Sequence, residues 1–194
     1  LIYYDPTALT FQSAEPGQLL VDCGWEYFTY RYGPSGNCGP SACPSGHVRM
    51  VAFAETNNGA NHPSCFSGTA GQLVSLNFLV TNDRTYECQY VPIRWIWYDC
   101  GDNTISSKSG DTLFLSRHVY DYYFDGETAG WISVEDPGAA FPTFFGANES
   151  CDTEDKAYPL RLIDFYNGGV DIICADSIDD RGDMNLNAVA YEIA

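Results

Sequence analysis

Apolar and polar residues alternate along much of this chain with the period of a β-strand. In GQLVSLNFLVT (71–81), Val74, Leu76, Phe78 and Val80 fall on one face, with Ser75, Asn77 and Thr81 on the other. That is the pattern of a strand with one buried side. Segments rich in aromatic and β-branched residues predict further strands at 25–32 (WEYFTYRY), 47–55 (HVRMVAFAE), 91–97 (VPIRWIW), 111–116 (DTLFLS), 118–124 (HVYDYYF), 130–135 (GWISVE) and 160–175 (LRLIDFYNGGVDIICA). Clusters of Gly, Pro, Asn and Asp separate them, as in GPSGNCGPSACPSG and NNGANHPS. No window between Leu1 and Ala175 sustains a helical period, and Leu1 itself opens inside a strand-like run. Many short strands at this spacing predict an all-β sandwich or barrel.

One of these strands has two apolar faces. In PIRWIWYDC, Ile93, Trp95 and Trp97 share one side, and Arg94, Ile96 and Tyr98 share the other. The pattern predicts a strand covered on both sides. Trp95 and Trp97 are read first as core, because large aromatics dominate burial energy. The alternative is an exposed Trp face that stacks on sugar rings.

Composition narrows the classes. The 194 residues are 45% hydrophobic and 15% aromatic, enough for one filled core and a small appendage. Twenty-six acidic against nine basic residues give a formal charge of −17, without the clustered Lys and Arg that phosphate backbones require. Nucleic acid is excluded as a partner on that ground; an acidic chain is a cation binder or a very soluble, self-repelling protein. No apolar run approaches the ~18 residues of a membrane span. With no starting Met and no basic-then-apolar leader, the chain reads as a mature or excised segment.

The eight cysteines are Cys23, Cys38, Cys43, Cys65, Cys88, Cys100, Cys151 and Cys174. They form no CxxC pair, and His47, His62 and His118 are not spaced to complete a zinc site with them. An even count in turn-rich sequence predicts disulfides, an oxidising compartment, and a secreted or cell-surface location; free buried thiols are the alternative. Only one link, Cys38 with Cys43 in CGPSAC, is local enough to propose from spacing. Asn148 opens an NES sequon in a small-residue loop, a glycosylation site if the source cell modifies Asn. No nucleophile elbow, Ser-His-Asp set or paired-carboxylate motif is present, and His118 beside VYDYYF reads as structural, so the chain is expected to be non-enzymatic.

The tail differs from the rest. In GDMNLNAVAYEIA, Asp183, Asn185 and Asn187 alternate with apolar residues behind Gly182, as in the opening of a calcium loop that runs into a helix. An Asn-rich turn capping a short helix is the alternative. The RGD at 181–183 matches an integrin-binding tripeptide, but Gly182 and Asp183 already serve as the entrance to this loop.

Together these motifs resemble a known pair of modules. The opening LIYYDPTALTFQSAEPGQLL, with its strand ending in Tyr-Asp-Pro and its later Pro-Gly and apolar pair, resembles the start of cohesin-like β-sandwich modules. VRMVAFAE resembles their central strand, GQLVSLNFLV the strand after it, VPIRWIW the next, and YNGGVDII the closing Gly-containing strand. DDRGDMNLNAVAYEIA resembles the first half of a dockerin module. The resemblance implies an immunoglobulin/cohesin-like β-sandwich over 1–175, with a long insertion at about 101–151 and a loop-helix tail over 176–194. It implies Ca2+ held by Asp183, Asn185 and Asn187 and by the carbonyl of Val189. Ala188 stands where such loops carry Gly, and the twelfth position is Ala194, so Glu192, off the usual spacing, is the acidic substitute.

Cohesin-like sandwiches begin one strand earlier than this chain does. That implies an open edge at Leu1, Ile2, Tyr3 and Tyr4, which a stable protein covers. The expectation is a structural or adhesive subunit, with copies joined head to tail in a filament or tandem array by strand completion. The second reading is a carbohydrate-binding or scaffoldin-type module with an exposed aromatic face at Trp95 and Trp97. Exposure of those two residues separates the readings.

Overall fold

Among the described residues the chain forms eleven strands and one short helix. The strands are β1 (Ile2–Tyr4), β2 (Leu9–Pro16), β3 (Tyr27–Tyr32), β4 (His47–Phe53), β5 (Val74–Val80), β6 (Gln89–Trp95), β7 (Ile105–Ser106), β8 (Thr112–Phe124), β9 (Ala129–Ser133), β10 (Tyr158–Tyr166) and β11 (Gly168–Ile172). Helix α1 spans Gln18–Asp22, and a 3-10 turn covers Arg84–Tyr86. The computed structural model describes residues 1–36, 38, 42–63, 71–98, 102–124, 129–133 and 158–174. The fold is all-β and sandwich-like, with very little helix. Hydrogen bonding orders five strands as β11-β6-β1-β4-β3, joins β10, β8 and β7 with β9 also on β8, and pairs β2 with β5. β1 with β4, β2 with β5, β7 with β8 and β8 with β9 pair antiparallel, and β8 with β10 runs parallel.

The chain divides into two compact units, Leu1–Tyr3, Arg31–Arg49 and Arg94–Gly168 in the first, and Tyr4–Tyr30, Met50–Ile93 and Gly169–Ala194 in the second. In the second unit β2 and β5 pair from Leu9↔Val80 to Pro16↔Val74. The register shifts between Phe11 and Ser13, and the buried positions of β2 change phase there, from Leu9 and Phe11 to Ala14. An extra residue at a bulge moves every later side chain to the other face. That phase change is why strict alternation does not reveal β2 in the sequence. Phe11 meets Phe78 at 5.6 Å and Tyr30 at 5.5 Å, both edge-on, and Tyr4 meets Phe78 at 5.0 Å. On β5, Val74, Leu76, Phe78 and Val80 are half-buried while Asn77 and Leu79 are exposed, as the period of two requires. α1 follows Pro16 and Gly17 as a single turn, too short to show a helical period. A Cβ on Gly17 would lie 2.2 Å from the Gln72 carbonyl oxygen, so only Gly permits that approach. The same holds in the closing strand, where a Cβ on Gly169 would lie 2.5 Å from the Val91 carbonyl oxygen. The Cys88–Cys174 disulfide closes this unit.

In the first unit β1 has hydrogen-bonded neighbours on both sides. Ile2 pairs with Val48 and Tyr3 with His47 on β4, and the Ile96 N–H donates to the Leu1 carbonyl at 3.2 Å. Leu1, Ile2 and Tyr4 are buried. The edge expected at Leu1–Tyr4 is therefore an interior strand, and β3 and β11 stand at the ends of that sheet among the described residues. Two small cores form here, and the two-faced strand divides between them. Ile96 packs with Leu1, Cys38 and Cys43, flanked by Tyr3 and Tyr98; Trp97 packs with Val119, flanked by Trp95 and Phe165. The expected Cys38–Cys43 bridge is present, with an S–S distance of 2.02 Å and Cα atoms 4.6 Å apart. Cys23 is also disulfide-bonded; Cys65, Cys100 and Cys151 lie outside the described residues.

Two strand boundaries differ from the sequence pattern. The segments at 111–116 and 118–124 form one 13-residue strand, β8, which lies within the stretch expected as an insertion and pairs with β10. Conversely, the single run expected over 160–175 breaks into β10 and β11 around Asn167. Asn167 is 2% exposed, and its backbone N–H and side-chain amide are hydrogen-bonded. Its N–H donates to the Tyr120 carbonyl (2.8 Å), its Oδ1 accepts from the Trp95 N–H (2.7 Å), and its Nδ2 donates to Asp121 Oδ1 (2.9 Å). Buried polar groups must be paired, and here the pairing ends one strand and starts another.

Candidate functional site

Of the two tryptophans singled out for sugar contact, Trp97 is buried and Trp95 is half-buried. Trp97 is 2% exposed, enclosed by Val119 and by Phe165 at 5.3 Å. Trp95 is half-buried against Phe165 at 5.0 Å, and its indole N–H donates to the Tyr166 carbonyl at 3.1 Å. Both serve the core, the first of the two readings of their strand.

The exposed aromatic face lies on the opposite side of β8, β9 and β10. Alternation along β8 sends Val119 into the core and His118, Tyr120 and Tyr122 to the other side. On β10, Phe165 turns inward with Val119, and Asp164 and Tyr166 turn outward beside His118 and Tyr120. Tyr120 lies opposite Tyr166 of β10 and opposite Ser133 of β9, so those strands flank β8 on its two edges. Trp131, opposite Tyr122 on β9, completes the face.

The ring geometry fixes how the indole lies. Trp131 meets its neighbour Tyr122 at 5.5 Å and 69°, and meets Tyr166, beyond β8, at 5.0 Å and 80°. To touch both, the indole must extend across β8. Trp131 is 49% exposed. Tyr122 and Tyr166, 47% and 44% exposed, stand against it nearly edge to face, and Tyr166 stacks on Tyr120 at 4.8 Å and 15°. His118 continues the row, 5.8 Å from Tyr120.

A polar cluster closes the end of the row. Arg117 donates from Nε to Asp164 Oδ1 (2.9 Å) and from Nη2 to Oδ2, a bidentate pair. His118 Nδ1 lies 3.1 Å from Asp164 Oδ1. These hydrogen bonds, chiefly those of Arg117, hold the Asp164 carboxyl below its ordinary value of 3.8. An ionised carboxylate only accepts, so Nδ1 carries the proton in this pair. The Arg117 and Asp164 charges cancel, which leaves the face without net charge on a chain of −17.

No protein-family model, curated protein or solved structure matches this chain. The site is therefore described by its own geometry.

Trp131, Tyr166, Tyr122 and Tyr120 were not singled out by sequence, although GWISVE and HVYDYYF were both read as strands. The missing information was which strands are neighbours. The other expected site residues, Asp183, Asn185, Asn187, Val189, Glu192 and Asn148, lie outside the described residues. Among the described residues no group of three or more His, Cys, Asp or Glu side chains is placed to hold a metal ion, and no helix is long and apolar enough to cross a membrane.

Proposed function

We propose that this protein is a non-enzymatic, saccharide-binding module of a secreted or cell-surface assembly. The observation that supports this reading is the half-exposed indole of Trp131, in ring contact with Tyr122 and, across β8, with Tyr166. An aromatic face matches the apolar C–H face of a pyranose ring, and phenol and carboxylate groups around it match the hydroxyls. Tyr and Trp suit such a site because each carries an apolar body and a polar tip. The disulfides Cys38–Cys43 and Cys88–Cys174 accord with an oxidising location.

Head-to-tail assembly is the weaker reading. It was motivated by an uncovered edge at Leu1–Tyr4, and β1 is paired on both sides. Negative-stain electron microscopy of the native protein tests it: regular fibres would restore it, and discrete particles would remove it.

The saccharide reading is tested on a glycan array with the full chain and with Trp131→Ala. Saturable binding that the substitution abolishes is the expected outcome. Binding unchanged by Trp131→Ala would refute the site.

A further inference from the structure

The tilt of the rings and the chemistry of the polar end bear on what kind of saccharide fits. This inference rests on the saccharide reading and narrows it. We propose that the face takes a single chain of a neutral glycan, with one sugar stacked on Trp131 and the next sugar hydrogen-bonded by Asp164 and His118, and that it takes neither a flat crystalline polysaccharide surface nor an anionic one.

A crystalline surface is planar, and the rings that meet it must be coplanar. Here Trp131 is inclined by 69° to Tyr122 and 80° to Tyr166. Of the two exposed tyrosines beside it, Tyr166 turns its face toward Tyr120 and Tyr122 is steeply inclined to the indole. Trp131 is the most exposed of the three rings and the one proposed to stack on a sugar, with the tyrosines beside it. A single sugar ring fits such inclined rings, and an extended flat sheet of chains does not.

The edge-to-face contacts also exclude a cation cage. A quaternary ammonium group sits between rings that surround it, within about 6 Å of each centroid. Trp131 is itself in ring contact with both Tyr122 and Tyr166, so these rings pack on one another pairwise and do not surround an open centre.

The polar end selects hydroxyl donors. A carboxylate has about four lone-pair sites. Arg117 Nε, Arg117 Nη2 and His118 Nδ1 fill three of those on Asp164. A sugar hydroxyl would donate to the fourth. With Nδ1 of His118 turned to the carboxylate, Nε2 is the ring nitrogen left for a ligand. A carboxylate oxygen and an imidazole nitrogen both match sugar hydroxyls, which donate as well as accept. A uronic acid or a sulfated sugar would add its charge to a chain that already carries −17.

Spacing joins the two subsites. Asp164 precedes Tyr166, which Trp131 touches, by two residues, or ~7 Å along the strand. A sugar stacked on the indole therefore sets its linked neighbour over the polar end.

The test is isothermal titration calorimetry of the full chain against neutral β-linked series (glucose, cellobiose and cellotriose; the corresponding chito- and xylo-oligosaccharides), against oligogalacturonates of matched length, and depletion on crystalline cellulose. In the series that binds, affinity is expected to rise about tenfold or more from monosaccharide to disaccharide, the gain of one to two hydrogen bonds to a charged group. Asp164→Asn and His118→Ala, tested separately, should each reduce that gain; Trp131→Ala should abolish binding of monosaccharide and disaccharide alike. Equal affinity for mono- and disaccharide, equal affinity for the oligogalacturonate, or depletion on crystalline cellulose would overturn this inference and leave the saccharide reading standing. Failure of every series to bind would overturn the saccharide reading itself.

Discussion

Trp131 and Tyr166 belong to strands separated by β8, yet their rings meet at 5.0 Å and 80°. A third strand lies between their backbones, so the contact exists only because the indole extends over it. The same relation leaves Trp131 half exposed, whereas Trp97, on the core side, is 2% exposed. Two tryptophans of one unit thus have opposite roles, and the difference is measurable.

Trp97→Ala should destabilise the protein by about 3–5 kcal/mol, the range for deleting a large buried aromatic. Trp131→Ala forfeits two exposed ring pairs and should cost only about 1–2 kcal/mol. Chemical denaturation of both variants checks the ordering. Equal costs would mean that Trp131 is a core residue and not a ligand platform.

Asn167 holds β6, β8 and β10 together through one buried side chain. Asn167→Ala leaves the Trp95 N–H and the Asp121 carboxylate each short of a partner. At roughly 1–3 kcal/mol per unsatisfied buried group, a loss of about 2–4 kcal/mol is expected. Hydrogen exchange gives a local readout: the Trp95 amide should lose protection ahead of the β2–β5 amides.

The Asp164 carboxyl is held below 3.8, mainly by Arg117. A carboxyl depressed in the folded state favours folding above its unfolded pKa, and that contribution disappears as pH falls through the folded value. Stability from this group should be constant above about pH 5 and decline below about pH 4. Asp164→Asn removes the titrating group, so the melting temperature of the variant should fall less steeply with acid than that of the parent. Melting curves from pH 7 down to about pH 2 test this; parallel acid limbs would show that the pair contributes nothing.

The two placed disulfides differ in the length of chain they close. Cys88 and Cys174 are 86 residues apart, and Cys38 and Cys43 are 5 apart. Loop-closure entropy makes the long bridge worth about 4–5 kcal/mol and the short one about 2 kcal/mol. The double variant Cys88→Ala/Cys174→Ala should therefore melt well below Cys38→Ala/Cys43→Ala. The reverse order would mean that burial of Cys38, which is 0% exposed, outweighs chain entropy.

Part of the candidate site was legible before any coordinates. HVYDYYF and GWISVE are aromatic strands by composition alone, and the inward turn of Trp97 follows from the two-faced pattern of its strand. Nothing in the sequence placed Trp131 beside Tyr166, because about 35 residues separate them and adjacency across a third strand leaves no periodic signal. The pattern at 160–175 failed for a related reason: Asn167 is polar in a mostly apolar run, and only its three partners on other strands show that the chain turns there.

The sequence by itself determined the all-β class, the faces of β5, the two-sided burial around Ile96 and Trp97, and the local Cys38–Cys43 bridge. These depend on spacing between near neighbours, which the period of a strand converts directly into direction. Tertiary structure alone decided that β1 is interior, that β8 and β10 run parallel, that 160–175 is two strands, and which aromatic residues face solvent. Those outcomes depend on which strands pair. Pairing is settled by how well whole faces pack, through contacts between residues far apart in the chain.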